Sequence, residues 1–169
     1  MRGTAESATA ASIALGAVRL RPGAEFCDSC WATVPGSVQT TMIRTLCSLN
    51  LNGIRAAEKR GFTEWLARQK PDVLCLQEIR AQVDQVPAEL RCPPGYNTRW
   101  RQADRKGYAG VGIYSRPSPD HYVPDCGLEW ADDEGRCLRA EFDDVAVYSL
   151  YVPSGSSGEE RLQLKFECM

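Results

Sequence analysis

Two short apolar runs, residues 43–49 (IRTLCSL) and 72–76 (DVLCL), each close on an oxygen-bearing side chain, Asn50 after the first and Glu78 after the second. Short apolar runs bounded by polar or turn residues are the pattern of strands covered on both faces. Between them, residues 57–70 carry Phe62, Trp65, Leu66 and Gln69 at helical spacing, which predicts a helix. Strand, helix, strand is the economical reading. With the strands side by side, a right-handed crossover brings their carboxyl ends to one edge of the sheet, where open sheets bind ligands. Asn50 and Glu78 are then expected to meet at that edge.

Composition narrows the alternatives. The chain has 169 residues, 43% apolar and 25% charged, enough for one domain with a real core. Its formal charge of −2 gives no global attraction to nucleic acid, so such a partner must be argued from local patches. Eight cysteines suggest disulfides, but Cys47 and Cys75 fall inside the predicted strands and the spacing is irregular, so reduced thiols are expected. Cys27 and Cys30 form a single CxxC with no second pair to complete a zinc site. No run approaches the roughly 18 apolar residues of a spanning helix, so no membrane partner is expected.

Residues 1–41 are rich in Ala, Ser, Gly and Thr and make a poor signal or transit peptide, since three arginines are matched by three acids. They read as a flexible leader, with Met42 an alternative start directly before the first strand; a cytoplasmic location is expected. Beyond Asn50, Gly53 permits a turn that presents Asn52 and Arg55 outward. Residues 79–95 hold too many breakers for a long element. The interval 91–106 carries Arg91, Arg99, Arg101, Arg105 and Lys106 with Tyr96 and Trp100 interleaved, ahead of Tyr108. That mixture suits a phosphate-bearing polymer, and equally a solvated loop whose arginines cover aromatic faces. Residues 108–115 read as a glycine-bearing strand in which GxG marks a close backbone approach, not a phosphate loop. Residues 136–142 and 145–152 predict a hairpin across Asp143 and Asp144, with Tyr151 near its end. A loop, 153–158, and a helix from Glu159 follow.

Four stretches, SLNLNGIRA (48–56), GFTEWLARQKPDVLCLQEIR (61–80), KGYAGVGIYSR (106–116) and YSLYVPSGSS (148–157), together closely resemble the exonuclease III and apurinic/apyrimidinic endonuclease family. The resemblance runs from about Met42 to the end. It implies an α/β fold, part of a four-layer α/β sandwich in which two mixed β-sheets are flanked by helices. By match, Asn50 and Glu78 hold a divalent metal, Mg²⁺ or Mn²⁺, whose hard oxygen preference agrees with an amide and a carboxylate. Tyr151 matches an active-site tyrosine that meets the phosphate as a donor or a phenolate. Contacts to double-stranded DNA are implied for Arg55, Arg80, Tyr108 and Ser154, and for Asn52, which replaces an aspartate of some relatives. Ser154 agrees with the branch reading YVPSGSS and departs from the one with asparagine after YVP.

The resemblance also implies parts that 42–169 lacks: a GDxN motif whose aspartate positions the attacking water, and a terminal aspartate and histidine pair. The single histidine, His121, reads as a residue of a Pro-rich loop before the hairpin, outside any such motif. The expectation is therefore an amino-terminal part with the carboxy-terminal half absent, one sheet incomplete, and a monomer when whole. Three readings stand open. The first is a DNA-repair phosphodiesterase acting at abasic sites and 3′ ends. The second is an inactive remnant or DNA-binding fragment, and the third another activity of the endonuclease, exonuclease and phosphatase superfamily.

Overall fold

The computed structural model describes residues 18–19, 43–127, 129–153, 159, 162–163 and 166. The elements, in chain order, are β1 (Val18–Arg19), β2 (Leu46–Asn50), α1 (Ile54–Lys59), α2 (Phe62–Gln69), β3 (Val73–Gln77), α3 (Ala88–Arg91), β4 (Asn97–Arg101), β5 (Val111–Ser115), β6 (His121–Val123), α4 (Glu129–Asp133), β7 (Cys137–Phe142) and β8 (Val145–Leu150). They make two four-stranded sheets, ordered β2-β3-β5-β4 and β1-β8-β7-β6. The first is mixed: β2 and β3 are parallel, while β5 is antiparallel to β3 and β4. Every pairing in the second is antiparallel.

The strand, helix, strand unit forms with Asn50 opposite Gln77, so both chains leave the sheet at one edge. The expected single helix over 57–70 is instead two, because Gly61 takes φ +86 and breaks the helical path after Arg60. Arg60 donates from Nη2 to the Leu51 carbonyl at 2.9 Å, tying the break back to the end of β2.

β3 shows why its sequence is apolar throughout. Leu74 and Leu76 join a core with Ile54, Phe62, Leu66 and Tyr114 on the helix side. Val73 and Cys75 join a second core with Ile113, Leu138, Phe142 and Val147 between the sheets. Alternation on a strand covered on both faces leaves no residue facing water. Tyr96 and Trp100 settle the aromatic part of the 91–106 interval. Both rings pack on Tyr114, at 6.2 and 5.6 Å, so they are core and not a stacking surface for bases. His121 begins β6 opposite Glu141 and is not a loop residue. The hairpin across Asp143 and Asp144 forms as expected. Gly112 earns its place by close approach: a Cβ there would stand 3.2 Å from Ile79 Cδ1 and 3.3 Å from the Arg99 carbonyl.

Among the described cysteines, Cys47, Cys75, Cys92, Cys126 and Cys137 are reduced. Cys27 and Cys30 lie outside the described residues, as do the 154–158 loop and most of the helix expected after Glu159. No helix of the described residues is long and apolar enough to cross a membrane.

The edge opposite Asn50 and Glu78 is closed by Asp72. Its Oδ2 accepts from the Arg44 and Thr45 amides at 3.0 Å and from the Thr45 hydroxyl at 3.1 Å. The amide bond from Arg44, outweighing slight burial and helped by Thr45 and the Arg116 charge, holds its pKa below the usual carboxylate value. A depressed folded pKa means the stabilisation is complete above the ordinary carboxylate range and fades as pH falls through the folded value. Asp72→Asn should therefore lower unfolding stability by about 1 kcal/mol near neutral pH, the modest figure reflecting its contact with water. Urea titrations should show that gap closing in acid; a gap unchanged by pH would contradict the assignment.

Candidate active site

The carboxyl edge of β2 and β3 is built by backbone hydrogen bonds that continue the sheet past its last strand residues. Leu51, Gly53 and Ile54 donate to the carbonyls of Gln77, Glu78 and Ile79 at 2.9, 2.7 and 2.9 Å. On the other side, the Ile79 and Arg80 amides donate to the Gly110 and Ala109 carbonyls at 3.1 and 2.9 Å. The segment 77–80 is thus held between the turn after β2 and the loop before β5. Glu78 and Arg80 adopt φ +53 and +51, a left-handed conformation that costs a non-glycine residue on the order of 1–2 kcal/mol. Such a conformation persists where the surroundings over-determine it, as these bonds do.

Asn50 and Glu78 meet at this edge. Asn50 Nδ2 donates to Glu78 Oε1 at 2.9 Å, and Asn50 Oδ1 accepts from the Asn52 amide at 2.9 Å. Arg80 Nη2 lies 2.6 Å from Glu78 Oε2. Tyr151, just beyond the end of β8, brings its hydroxyl close enough to Glu78 for each to shift the other's pKa. Burial works to raise the Glu78 pKa, yet the bonds from Asn50 and Tyr151 and the charges of Arg80 and Arg136 hold it below the usual carboxylate value. Glu78 is accordingly ionised. Tyr151 goes the other way: burial, then its bond to the Glu78 carboxylate and that negative charge, push the hydroxyl up to about 12 against the pull of Arg136. Of the two expected forms, a raised pKa favours the neutral donor.

The remaining sequence-derived residues divide. Asn52 is exposed at φ +47 and steadies Asn50 through its backbone. Arg55 is exposed on α1 and, with Gly53, Lys59 and Arg80, the ion-pair partner of Glu78, lines a hollow of about 330 Å³. Tyr108 stands in the loop before β5. It is half-buried, its hydroxyl lies 3.3 Å from Glu134 Oε2 and accepts from Arg136 Nη2 at 2.8 Å. Ser154 lies outside the described residues.

Two residues of this region were not singled out by sequence. Gln77 is buried where the two sheets meet, and its Nε2 donates to Ser48 Oγ at 3.1 Å and Ser149 Oγ at 3.4 Å. Its only sequence signal is a polar residue between the apolar run 72–76 and Glu78. Arg136, 3% exposed, heads β7; a guanidinium opening an apolar run directly after Glu134 and Gly135 was the signal there. Its carbonyl accepts from the Tyr151 amide at 2.8 Å, which fixes where β8 delivers that tyrosine.

Asn50 and Glu78 supply hard oxygen donors on adjacent side chains, the chemistry that suits a loosely held, water-rich Mg²⁺-type ion. Arg80 already places a positive group against one carboxylate oxygen, which is where such an ion would compete. Among the described residues no cluster of three or more His, Cys, Asp or Glu side chains is arranged to hold a metal.

Residues 47–166 match the model of the endonuclease/exonuclease/phosphatase family. Over 123 residues the chain is 35% identical to an exodeoxyribonuclease of Bacillus subtilis (strain 168), covering 72% of this chain and 48% of that protein. It is 31% identical over 123 residues to a DNA-(apurinic or apyrimidinic site) endonuclease of Dictyostelium discoideum, covering 72% and 34%. The structure of an AP endonuclease from Archaeoglobus fulgidus superposes with a TM-score of 0.61 at 29% identity, over 73% of this chain and 47% of that one. The chain therefore spans about half the length, or less, of these relatives.

Because the bond from Asn50 helps hold Glu78 ionised, Asn50→Ala should raise the Glu78 titration midpoint toward the ordinary carboxylate value. Carboxyl carbon NMR of the metal-free chain reads this directly, and an unmoved midpoint would contradict the part assigned to Asn50.

Proposed function

The chain belongs to the endonuclease/exonuclease/phosphatase family, and on that premise we propose that its site serves metal-assisted hydrolysis of DNA phosphodiesters, beside abasic sites and at 3′ ends. One observation carries the reading: an ionised Glu78, its partner Asn50, the neutral hydroxyl of Tyr151 and the cation Arg80 converge on one edge of the sheet. A carboxylate and an amide are ligands for a divalent ion, a phenol is a donor to a phosphate oxygen, and a guanidinium matches phosphate geometry.

Asn50 and Glu78 would hold the ion, and we take it to be Mg²⁺, with Mn²⁺ the alternative. When bound, such an ion supplies Lewis-acid stabilisation of charge on the phosphate as water attacks in line. The chain's own residues do the rest. Tyr151, beside Glu78 and partly buried, would offer its hydroxyl as a donor to a phosphate oxygen. Arg80, whose guanidinium stands at this edge, would meet a phosphate of the backbone. Arg55 and Arg80 line the same hollow, so Arg55 extends the basic track. Double-stranded DNA is the substrate that fits such a track, since phosphate contacts position a duplex without reading its sequence.

A second reading is that the chain binds DNA without cutting it. Among the described residues no three His, Cys, Asp or Glu side chains are grouped to hold a metal, which favours it.

The test is incubation of the purified chain with a duplex bearing an abasic-site analogue, with Mg²⁺ present or chelated. Hydrolysis predicts incision that requires the metal and falls about a hundredfold or more in Glu78→Gln. Binding without incision, indifferent to Glu78→Gln, would instead support the second reading.

A further inference from the structure

Arg136 is the most buried charge of the chain's described residues that sits beside the site, and the function just proposed does not use it. Its side chain is 4% exposed. A guanidinium so far from water is tolerated only when its donors are filled. Here each of its three nitrogens has a partner, from three directions. Nε binds Glu134 Oε2, Nη2 donates to the Tyr108 hydroxyl at 2.8 Å, and Nη1 donates to the Tyr151 carbonyl at 3.2 Å. The flat faces of the group are used as well. Its central carbon stands 5.3 Å from the centre of the Tyr108 ring and 4.6 Å from that of Tyr151.

The backbone gives Arg136 no freedom to drift. Its amide donates to the Ala131 carbonyl at 2.7 Å, and its carbonyl accepts from the Tyr151 amide at 2.8 Å. Gly135, at φ +59, seats the preceding turn so tightly that a Cβ would come within 2.5 Å of the Gln102 carbonyl oxygen. The loop that carries Tyr108 and the end of β8 that carries Tyr151 are therefore both referred to one fixed cation.

We propose that Arg136 is a positioning residue that locks Tyr108 and Tyr151 in a single relation, so that the two side chains are presented to the substrate together. The proposal rests on the functional reading above. A buried ion pair with Glu134 would by itself be weak evidence of a purpose, since an aliphatic side chain of similar volume often stabilises as well. What an aliphatic chain cannot do is stack on two phenol rings while its fork binds a hydroxyl and a carbonyl. Lysine keeps the charge but has neither the plane nor the fork.

Arg136→Lys therefore separates positioning from charge and from folding, with Arg136→Met as the companion. The chain is labelled with ring-¹³C tyrosine, Tyr108→Phe and Tyr151→Phe assigning the two signals, and duplex affinity is measured with an abasic-site analogue in Mg²⁺. Positioning predicts that Arg136→Lys keeps the circular dichroism spectrum, moves both ring signals, and weakens affinity about tenfold. It also predicts that Arg136→Lys combined with Tyr151→Phe costs no more than the worse single change. Wild-type ring signals and affinity in Arg136→Lys, or effects that simply add, would overturn it. Should Arg136→Met fail to fold, the lysine variant decides alone. Should the unmodified chain bind no duplex, the functional reading fails, and the clamp is judged on the rings: both moving supports it, one or neither moving overturns it.

Discussion

The structure depends on how the chain is held as it leaves β3. Five backbone hydrogen bonds pin residues 77–80 between the turn after β2 and the loop before β5, and that clamp allows Glu78 and Arg80 to keep left-handed backbone angles that would otherwise relax. With the backbone so fixed, Glu78 has a defined place to meet Asn50 and Arg80. Strain, hydrogen bonding and charge are thus concentrated in one short segment, while the strands behind it are filled with ordinary aliphatic packing. This division suits a site that must present charge accurately: the apolar cores set the position of the edge, and the edge itself carries the polar chemistry.

The second sheet matters because it brings Tyr151 to that edge. Gln77 and Ser149 form a buried polar link between β3 and β8, with the Ser149 hydroxyl donating to the Leu76 carbonyl at 2.9 Å. A polar bridge inside an apolar interface costs desolvation, but it fixes the register of the two sheets in a way that interchangeable methyl groups do not. Arg136 repeats the device one step outward, tying the Tyr108 loop to the end of β8. The tyrosines are consequently part of a polar lattice that starts in the core, and neither acts as an isolated surface side chain.

Much of this was legible in the chain. The apolar runs ending in Asn50 and Glu78 placed both residues at one edge because strand alternation and crossover handedness leave few other options. The hairpin across Asp143 and Asp144 was equally plain. What escaped notice was long-range or conformational. The split of α1 from α2 turns on the backbone angle of Gly61, which helical spacing does not encode. Tyr96 and Trp100 sat among arginines and read as well as a binding surface as a core, and only their packing on Tyr114 decides it. Arg136 lies 58 positions from Glu78 in the chain and looked like the start of a strand. Its importance comes from rings supplied by two other segments, a relation that pattern reading along one sequence does not reach.

The central claim is that the edge formed by Asn50, Glu78 and Tyr151 is where a divalent ion enters. Paramagnetic broadening by substoichiometric Mn²⁺ in the ¹⁵N spectrum of the chain tests it most directly. The account predicts that amide signals of Asn50, Glu78 and Tyr151 disappear first while those of Thr45 and Asp72, at the opposite edge of the sheet, stay sharp. Broadening that spares Asn50 and Glu78, or that centres on another part of the chain, would contradict it.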